Sequence, residues 1–183
     1  MRETEQELLE GCRDGTRSAQ YELYQRYSMA MYAICLRYTK ATAEAEDVLQ
    51  EAFVKVFSKI DSFKGESTIG FWIKRIVINT ALNHQRSRLY LYPMVDLEVI
   101  NDRSGTETTL SNFSHQELLD MITSLPDGSQ VIFNLYAIEG YKHKEIGEML
   151  GISEGTSKSQ YARAKQLLQK KLESHERVNY GRV

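Results

Sequence analysis

An apolar stripe with helical spacing lies in the first third of the chain and limits the folds that the chain can adopt. Its members recur every three or four residues: Ala45, Val48, Leu49, Ala52, Phe53, Val56, Phe57 and Ile60. Because a helix turns once every 3.6 residues, this spacing places them on one face, which other helices must cover. Proline breaks helices, and the chain has 2 prolines, Pro93 and Pro126. The sequence therefore predicts an all-α protein.

Helical patterns form two blocks, as expected if a chain of 183 residues makes two small domains. We predict a first domain over 1–92, a second over 113–175 and a frayed tail over 176–183. Residues 93–112 lack a sustained period and contain Pro93, Gly105 and a Thr/Ser cluster, which predicts a flexible linker. No run of about 18 apolar residues occurs, so no membrane-spanning helix is expected.

Charge is distributed unevenly along a chain whose net charge is only −2. Residues 67–95 carry basic side chains and no acidic one, residues 96–117 carry five acidic side chains and one basic, and residues 141–172 carry seven Lys or Arg and three Glu. This alternation of basic, acidic and basic segments indicates a nucleic-acid-binding protein, which the net charge alone would not suggest. The 2 cysteines form neither a CxxC pair nor a zinc-ligand set, so a disulfide framework is not expected and a reducing cytoplasm fits best.

The second block contains a pattern typical of a helix-turn-helix. Lys142–Leu150 predicts a short helix, Gly151 supplies a tight turn, and Ser153 can cap the helix that follows. The outward face of that second helix is predicted to carry donors suited to a major groove: Lys158, Ser159, Ala162, Arg163 and Gln166. A solvated basic helix on a bundle is the alternative interpretation.

The first block carries two polar faces. Opposite the apolar stripe lie Asp47, Gln50 and Glu51, which predict a protein-docking face, although acids in a first helical turn also suit the helix dipole. A further helix is predicted over 70–87, with an aromatic residue among amide and basic groups on one side: Trp72, Arg75, Asn79, Asn83 and Arg86. Such a mixture suits unstacked bases, and the alternative is that Trp72 covers the edge of the core.

Two sets of motifs resemble the sigma-70 family. Residues 44–53, EAEDVLQEAF, and 72–79, WIKRIVIN, resemble region 2, and Leu125-Pro126 with residues 141–159 resembles region 4. Two regions with a short linker match the extracytoplasmic-function (ECF) group. The resemblance implies a sigma factor that binds RNA polymerase core and directs promoter recognition and DNA opening, and that is not an enzyme.

The resemblance also implies which surface does what. Asp47, Gln50 and Glu51 would dock on the clamp helices of the β′ subunit. The loop 61–68 and the Trp72 face, including Arg75, Asn79, Asn83 and Arg86, would recognise and open the −10 element. The −35 element would be read by Lys142, Thr156, Lys158, Ser159, Ala162, Arg163 and Gln166. The stretch 131–136 would bind the β-flap, and the acidic linker would run toward the RNA exit path.

Further partners and alternatives follow from the same patterns. ECF factors are often held by an anti-sigma factor, so a partner of that kind is implied, with a cytoplasmic location and nucleoid association when bound to polymerase. A DNA-binding regulator that dimerises through its first block is one alternative, and it would not need the Trp72 and Asn79 face. A nucleic-acid enzyme is another, with Asp47 and Glu51 as a metal pair, but no catalytic motif supports it. We predict no catalytic residue, cofactor or metal.

Overall fold

A computed structural model describes residues 4–91 and 113–180, with side chains for 4–85 and 113–174. Within those ranges the regular secondary structure is helical throughout, as the sequence predicted. The chain divides into two compact units, Met1–Arg86 and Ser87–Val183, called unit 1 and unit 2 below. The predicted linker, 93–112, lies outside the described residues.

Unit 1 is a helical bundle built on the apolar stripe. Its helices are α1 (Glu5–Arg13), α2 (Arg17–Tyr38), α3 (Thr42–Ser58) and α4 (Ile69–Leu91), with a 3₁₀ turn at Ile60–Ser62. Helices α1 and α3 both pack on α2. Every member of the stripe is buried except Phe57, which is half-buried. The stripe therefore forms the centre of the unit, as its spacing predicted.

Helix α4 is longer than the predicted 70–87 and is held by contacts with α2 and α3. A side chain at Gly70 would come within 3.0 Å of the Tyr27 ring, so glycine allows close packing there. Farther along, the Lys55 ammonium donates to the Thr80 hydroxyl at 3.4 Å. Ile73, Val77 and Ala81 are fully buried. These contacts fix which face of α4 remains open.

Unit 2 is built around its last helix. It comprises α5 (His115–Thr123), α6 (Asp127–Phe133), a π-helical turn (Asn134–Ile138), α7 (His143–Leu150) and α8 (Glu154–Tyr180). Helices α5, α6 and α7 all pack against α8. The tail was expected to begin at residue 176, but α8 continues to Tyr180.

The interface between α6 and α8 contains a buried polar pair. Ser129 and Gln160 are both buried, and the Ser129 hydroxyl donates to the Gln160 side-chain oxygen at 2.8 Å. Gln130 and Asn134 are also fully buried. Buried polar groups are tolerated when they are hydrogen-bonded, so this interface fixes the two helices by specific pairing as well as by apolar contact.

Candidate nucleic-acid and protein interfaces

The turn between α7 and α8 has the geometry of a helix-turn-helix. Gly151 ends α7 with a φ of 69°, a left-handed conformation that favours glycine. A side chain at Gly147 would meet the Ile152 carbonyl oxygen at 2.8 Å, so the turn sits directly against α7. The Ser153 hydroxyl accepts from the Thr156 amide at 2.9 Å and caps α8. Both the turn and the cap were predicted from the sequence.

Basic side chains of α8 and α7 lie open to solvent. Lys158, Arg163 and Lys142 are exposed, and Ala162 and Gln166 are half-buried. The Lys158 ammonium lies 2.6 Å from a Glu154 carboxylate oxygen. This pairing holds the pKa of Glu154 below its usual range. Arg163 makes no ion pair or hydrogen bond within the described residues, so its guanidinium is available to an anionic ligand.

Two of the predicted −35 residues are not accessible. Ser159 was expected on the outward face, but it is buried, and its hydroxyl donates to the Thr156 carbonyl at 3.0 Å. That prediction of exposure was wrong because Ser159 lies on a part of α8 that is covered within unit 2, where Thr156 and Gln160 are buried as well. Thr156 is buried too, with its hydroxyl 2.8 Å from that of Ser153. Neither hydroxyl projects from the surface of α8.

An aromatic cluster that the sequence did not reveal supports the start of α7. The His143 ring stacks on Tyr136 with centroids 4.1 Å apart, and its Nδ1 lies 2.9 Å from the Ser157 hydroxyl. Tyr161 packs beside both rings. Burial lowers the pKa of His143, and nearby Lys158 lowers it further. The lowered pKa therefore favours the neutral form of the His143 ring in its contacts with Tyr136 and Tyr161.

The stretch predicted to bind the β-flap is mostly interior. Val131, Ile132 and Leu135 are fully buried, as is Asn134. Phe133 is half-buried and Tyr136 is 37% exposed. Tyr136 also stacks on His143, the first residue of α7, so the exposed part of this stretch lies next to the helix-turn-helix. Any contact through 131–136 is thereby limited to Phe133 and Tyr136.

The open face of α4 carries the other predicted DNA-contacting residues. Arg75, Asn79 and Asn83 are exposed, and none of them is hydrogen-bonded or ion-paired within the described residues. Trp72 is half-buried against Phe63, which follows the 3₁₀ turn, with ring centroids 5.6 Å apart. The loop 61–68 is therefore not wholly polar, because Phe63 anchors it beside α4. The side chain of Arg86 lies outside the described residues.

The predicted docking face of α3 is open as well. Asp47, Gln50 and Glu51 are all exposed, and a Glu51 carboxylate oxygen pairs with the Lys55 ammonium at 2.6 Å. Beside them a groove runs between α3 and α2, with Met29 79% exposed at its edge. Periodicity did not single out Met29, because a lone exposed methionine has the same sequence signal as a core residue. The exposed apolar side chain of Met29 therefore lies at the edge of the polar face of α3.

The described residues lack two features, a membrane-spanning helix and a cluster of metal-binding side chains. In residues 4–91 and 113–180 no helix is long and apolar enough to cross a membrane. The same part of the chain holds no group of three or more His, Cys, Asp and Glu side chains that could bind a metal ion.

The geometry of unit 2 places the chain among the all-helical proteins that contain a helix-turn-helix. Family models then identify the two units separately. Sigma-70 region 2 matches residues 23–89, and Sigma-70, region 4 matches residues 115–168. Together the matches span α2 to α4 and α5 to most of α8. The chain belongs to the ECF group of the sigma-70 family, which is not an enzyme class.

Curated relatives agree with that membership, and solved structures share the fold. The ECF RNA polymerase sigma-E factors of Haemophilus influenzae and Escherichia coli K12 are each 29% identical over 93% of this chain, covering 96% and 95% of their own lengths. The fold resembles the sigma factor RpoE of Bartonella quintana, solved with the anti-sigma factor NepR, at TM-score 0.54, 21% identity and coverage of 84% and 96%. It also resembles CnrH, solved with the cytosolic domain of CnrY, at TM-score 0.50, 20% identity and coverage of 91% and 96%.

Proposed function

We propose that the chain binds RNA polymerase core, brings it to promoter DNA and helps to open that DNA. The observation that carries this proposal is the pair of open polar faces, one on α4 and one on α8. Each lies in a unit that matches a different sigma-70 region. A regulator that only binds duplex DNA needs the α8 face but not the α4 face.

The α8 face suits double-stranded DNA. Lys158 and Arg163 are exposed cations of the length that reaches phosphates and guanine edges in a major groove. The small Ala162 between them offers a methyl contact to thymine. With Lys142 and Gln166 they form the proposed −35 surface, from which we omit the buried hydroxyls of α8.

The α4 face suits unpaired bases. Asn79 and Asn83 offer amide groups that can hydrogen-bond base edges once the duplex is open, and Arg75 offers a cation for the backbone. Trp72 keeps part of its ring accessible beside them. We assign this surface, with Arg86, to the −10 element.

The α3 face is the proposed contact with the β′ clamp helices. Asp47, Gln50 and Glu51 supply the polar groups, and the neighbouring groove supplies apolar area. Phe133 and Tyr136 are the proposed contacts with the β-flap. We further propose that an anti-sigma factor binds the chain, since the similar RpoE of Bartonella quintana was solved in complex with the anti-sigma factor NepR. Acting with polymerase places the chain on the nucleoid, in the bacterial cytoplasm.

The proposal is tested by capture of core polymerase with the tagged full-length chain, followed by run-off transcription from fragments of the encoding genome. We expect retention of the β and β′ subunits and transcripts that depend on the added chain. A chain that retains no core enzyme and binds duplex DNA as a dimer would support the regulator instead.

A further inference from the structure

One hydrogen bond ties the loop 61–68 to a helix that is remote in sequence. The Arg13 guanidinium, in the last turn of α1, donates to the Phe63 carbonyl oxygen at 3.3 Å, across 50 positions of the chain. Within the described residues, no other hydrogen bond reaches this loop from outside the segment 59–72. Arg13 is therefore the polar link between α1 and the loop.

Helix α1 is packed firmly enough to hold a loop in place. Leu8 and Cys12 are buried, and a side chain at Gly11 would come within 2.7 Å of the Ala19 Cβ, so α1 and α2 are in close contact. Helix α1 also contacts the 3₁₀ turn that begins the loop. Arg13 directly follows the buried Cys12, so its guanidinium extends from a fixed position.

The loop is anchored at its two ends and open between them. At one end Phe63 is 8% exposed, and its ring packs on Trp72 with centroids 5.6 Å apart. At the other end the Thr68 hydroxyl accepts from the amide of Phe71, an exposed residue in the first turn of α4, at 3.3 Å. Residues 64–68 are all exposed. Arg13 thus holds the backbone at the same end where Trp72 holds the ring.

We infer that Arg13 is a positioning residue for opened DNA, because its bond to Phe63 holds the loop 61–68 and the Trp72 ring where the −10 segment meets them. This inference rests on the proposed function, with the loop as part of the −10 surface. It adds a helix, α1, that carries none of the proposed DNA-contacting residues. Losing the bond would weaken binding, because a loop that is not held in advance must be ordered when the strand binds.

The test uses the full-length chain with core polymerase and a promoter found by run-off transcription, supplied both as duplex and with its −10 segment already opened. Arg13→Met keeps a long side chain but removes the donor. It should bind the opened template about 2- to 10-fold more weakly, the range for loss of one intramolecular hydrogen bond. Affinities for core enzyme and for duplex should not change, since the faces proposed for them lie on α3 and α8.

Arg17→Met is the matched control. Arg17 is exposed in the first turn of α2, and it makes no hydrogen bond or ion pair within the described residues. The control removes the same charge four positions away, without removing a bond to the loop. It should bind the opened template as tightly as the parent.

Two measurements distinguish positioning from a direct contact with DNA. In the free chain, the sole tryptophan should be quenched more readily by acrylamide in Arg13→Met than in the parent, because Phe63 no longer holds it as firmly. The affinity for the opened template should keep its dependence on salt. A lost phosphate contact would instead reduce the log–log slope by about 0.7 for a single strand.

Four results would overturn the inference. These are an opened-template affinity of Arg13→Met equal to that of the parent, an equal loss in Arg17→Met, a reduced salt slope, and unchanged quenching of Trp72. A loss of core binding in Arg13→Met would also overturn it, because the whole of unit 1 would then be disturbed. A parent chain that opens no promoter would overturn the proposed function, whereas the quenching of the free chain would still show whether Arg13 holds the loop.

Discussion

Reversing the charge of Glu51 should weaken binding to core polymerase while leaving unit 1 folded. Glu51 pairs with Lys55 across one helical turn, with side chains 51% and 33% exposed. An exposed pair of this kind contributes about 0.3–0.5 kcal/mol, and a like-charge pair costs a similar amount. Glu51→Arg should therefore cost the fold about 1 kcal/mol or less, a small part of the roughly 5–15 kcal/mol that holds a domain together.

Glu22 offers a closely matched control. It pairs with Arg26 across one turn of α2, and its side chain is 51% exposed beside a partner that is 31% exposed. Glu22→Arg should thus disturb the fold as much as Glu51→Arg, but it lies outside the proposed docking face. A second variant, Glu51→Lys with Lys55→Glu, keeps an ion pair across the turn but also replaces the Lys55 ammonium that donates to Thr80.

At the interface a reversed charge costs more than it does on the free helix, because water is partly excluded. We expect Glu51→Arg to lower the affinity for core enzyme about 10- to 100-fold, and addition of Asp47→Arg to lower it further. Equilibrium titration of the labelled chain with core polymerase measures both. Equal affinities for Glu51→Arg and the parent, or an equal loss in Glu22→Arg, would refute the assignment of this face.

Three further predictions concern unit 2. The pKa of His143 is lowered in the folded state, so as pH falls below about 6.5 the unfolded chain binds the proton first and thermal stability should decline. His143→Phe should make the melting temperature measured by calorimetry less dependent on pH in this range. An unchanged pH dependence in His143→Phe would contradict the packing of His143 described above. Ser129→Ala and Gln160→Ala should each lower the free energy of unfolding, measured with denaturant, by about 1–3 kcal/mol. The double variant should lose less than the sum of the two single losses, whereas strict additivity would mean that the Ser129–Gln160 hydrogen bond contributes nothing. Duplex affinity should fall with salt, and Lys158→Ala and Arg163→Ala should each reduce the log–log slope by about 1, whereas an unaltered slope would argue against phosphate contact.

Local signals account for what the sequence could predict. The stripe on α3 gave the core of unit 1, because eight apolar positions in helical register leave one way to bury them. Gly151 and Ser153 marked the turn of the helix-turn-helix for conformational reasons that act within a few residues. The open side of α4 was predicted for the same reason, since helical geometry alone separates Asn79 from Val77.

Long-range packing accounts for what the sequence could not predict. Ser159 directly follows the exposed Lys158 on α8, yet the residue itself is buried. The stack of His143 on Tyr136 joins two elements through a contact with no periodic signature. Phe71 could not be distinguished from a core residue, because an exposed phenylalanine and a buried one read alike. Each of these depends on which neighbours fold against the residue.

We propose that α8 acts on duplex DNA and that α4 acts on opened DNA. Gel-shift binding beside permanganate footprinting of unpaired thymines measures both steps on one promoter with the assembled holoenzyme. Arg163→Ala should reduce binding to the duplex, and a template opened in advance at −10 should not rescue it. Asn79→Ala should bind the duplex almost normally and open it poorly, and the opened template should restore part of that loss. If Asn79→Ala instead reduced duplex binding as much as Arg163→Ala and left the opening of bound DNA unchanged, the claim would be contradicted.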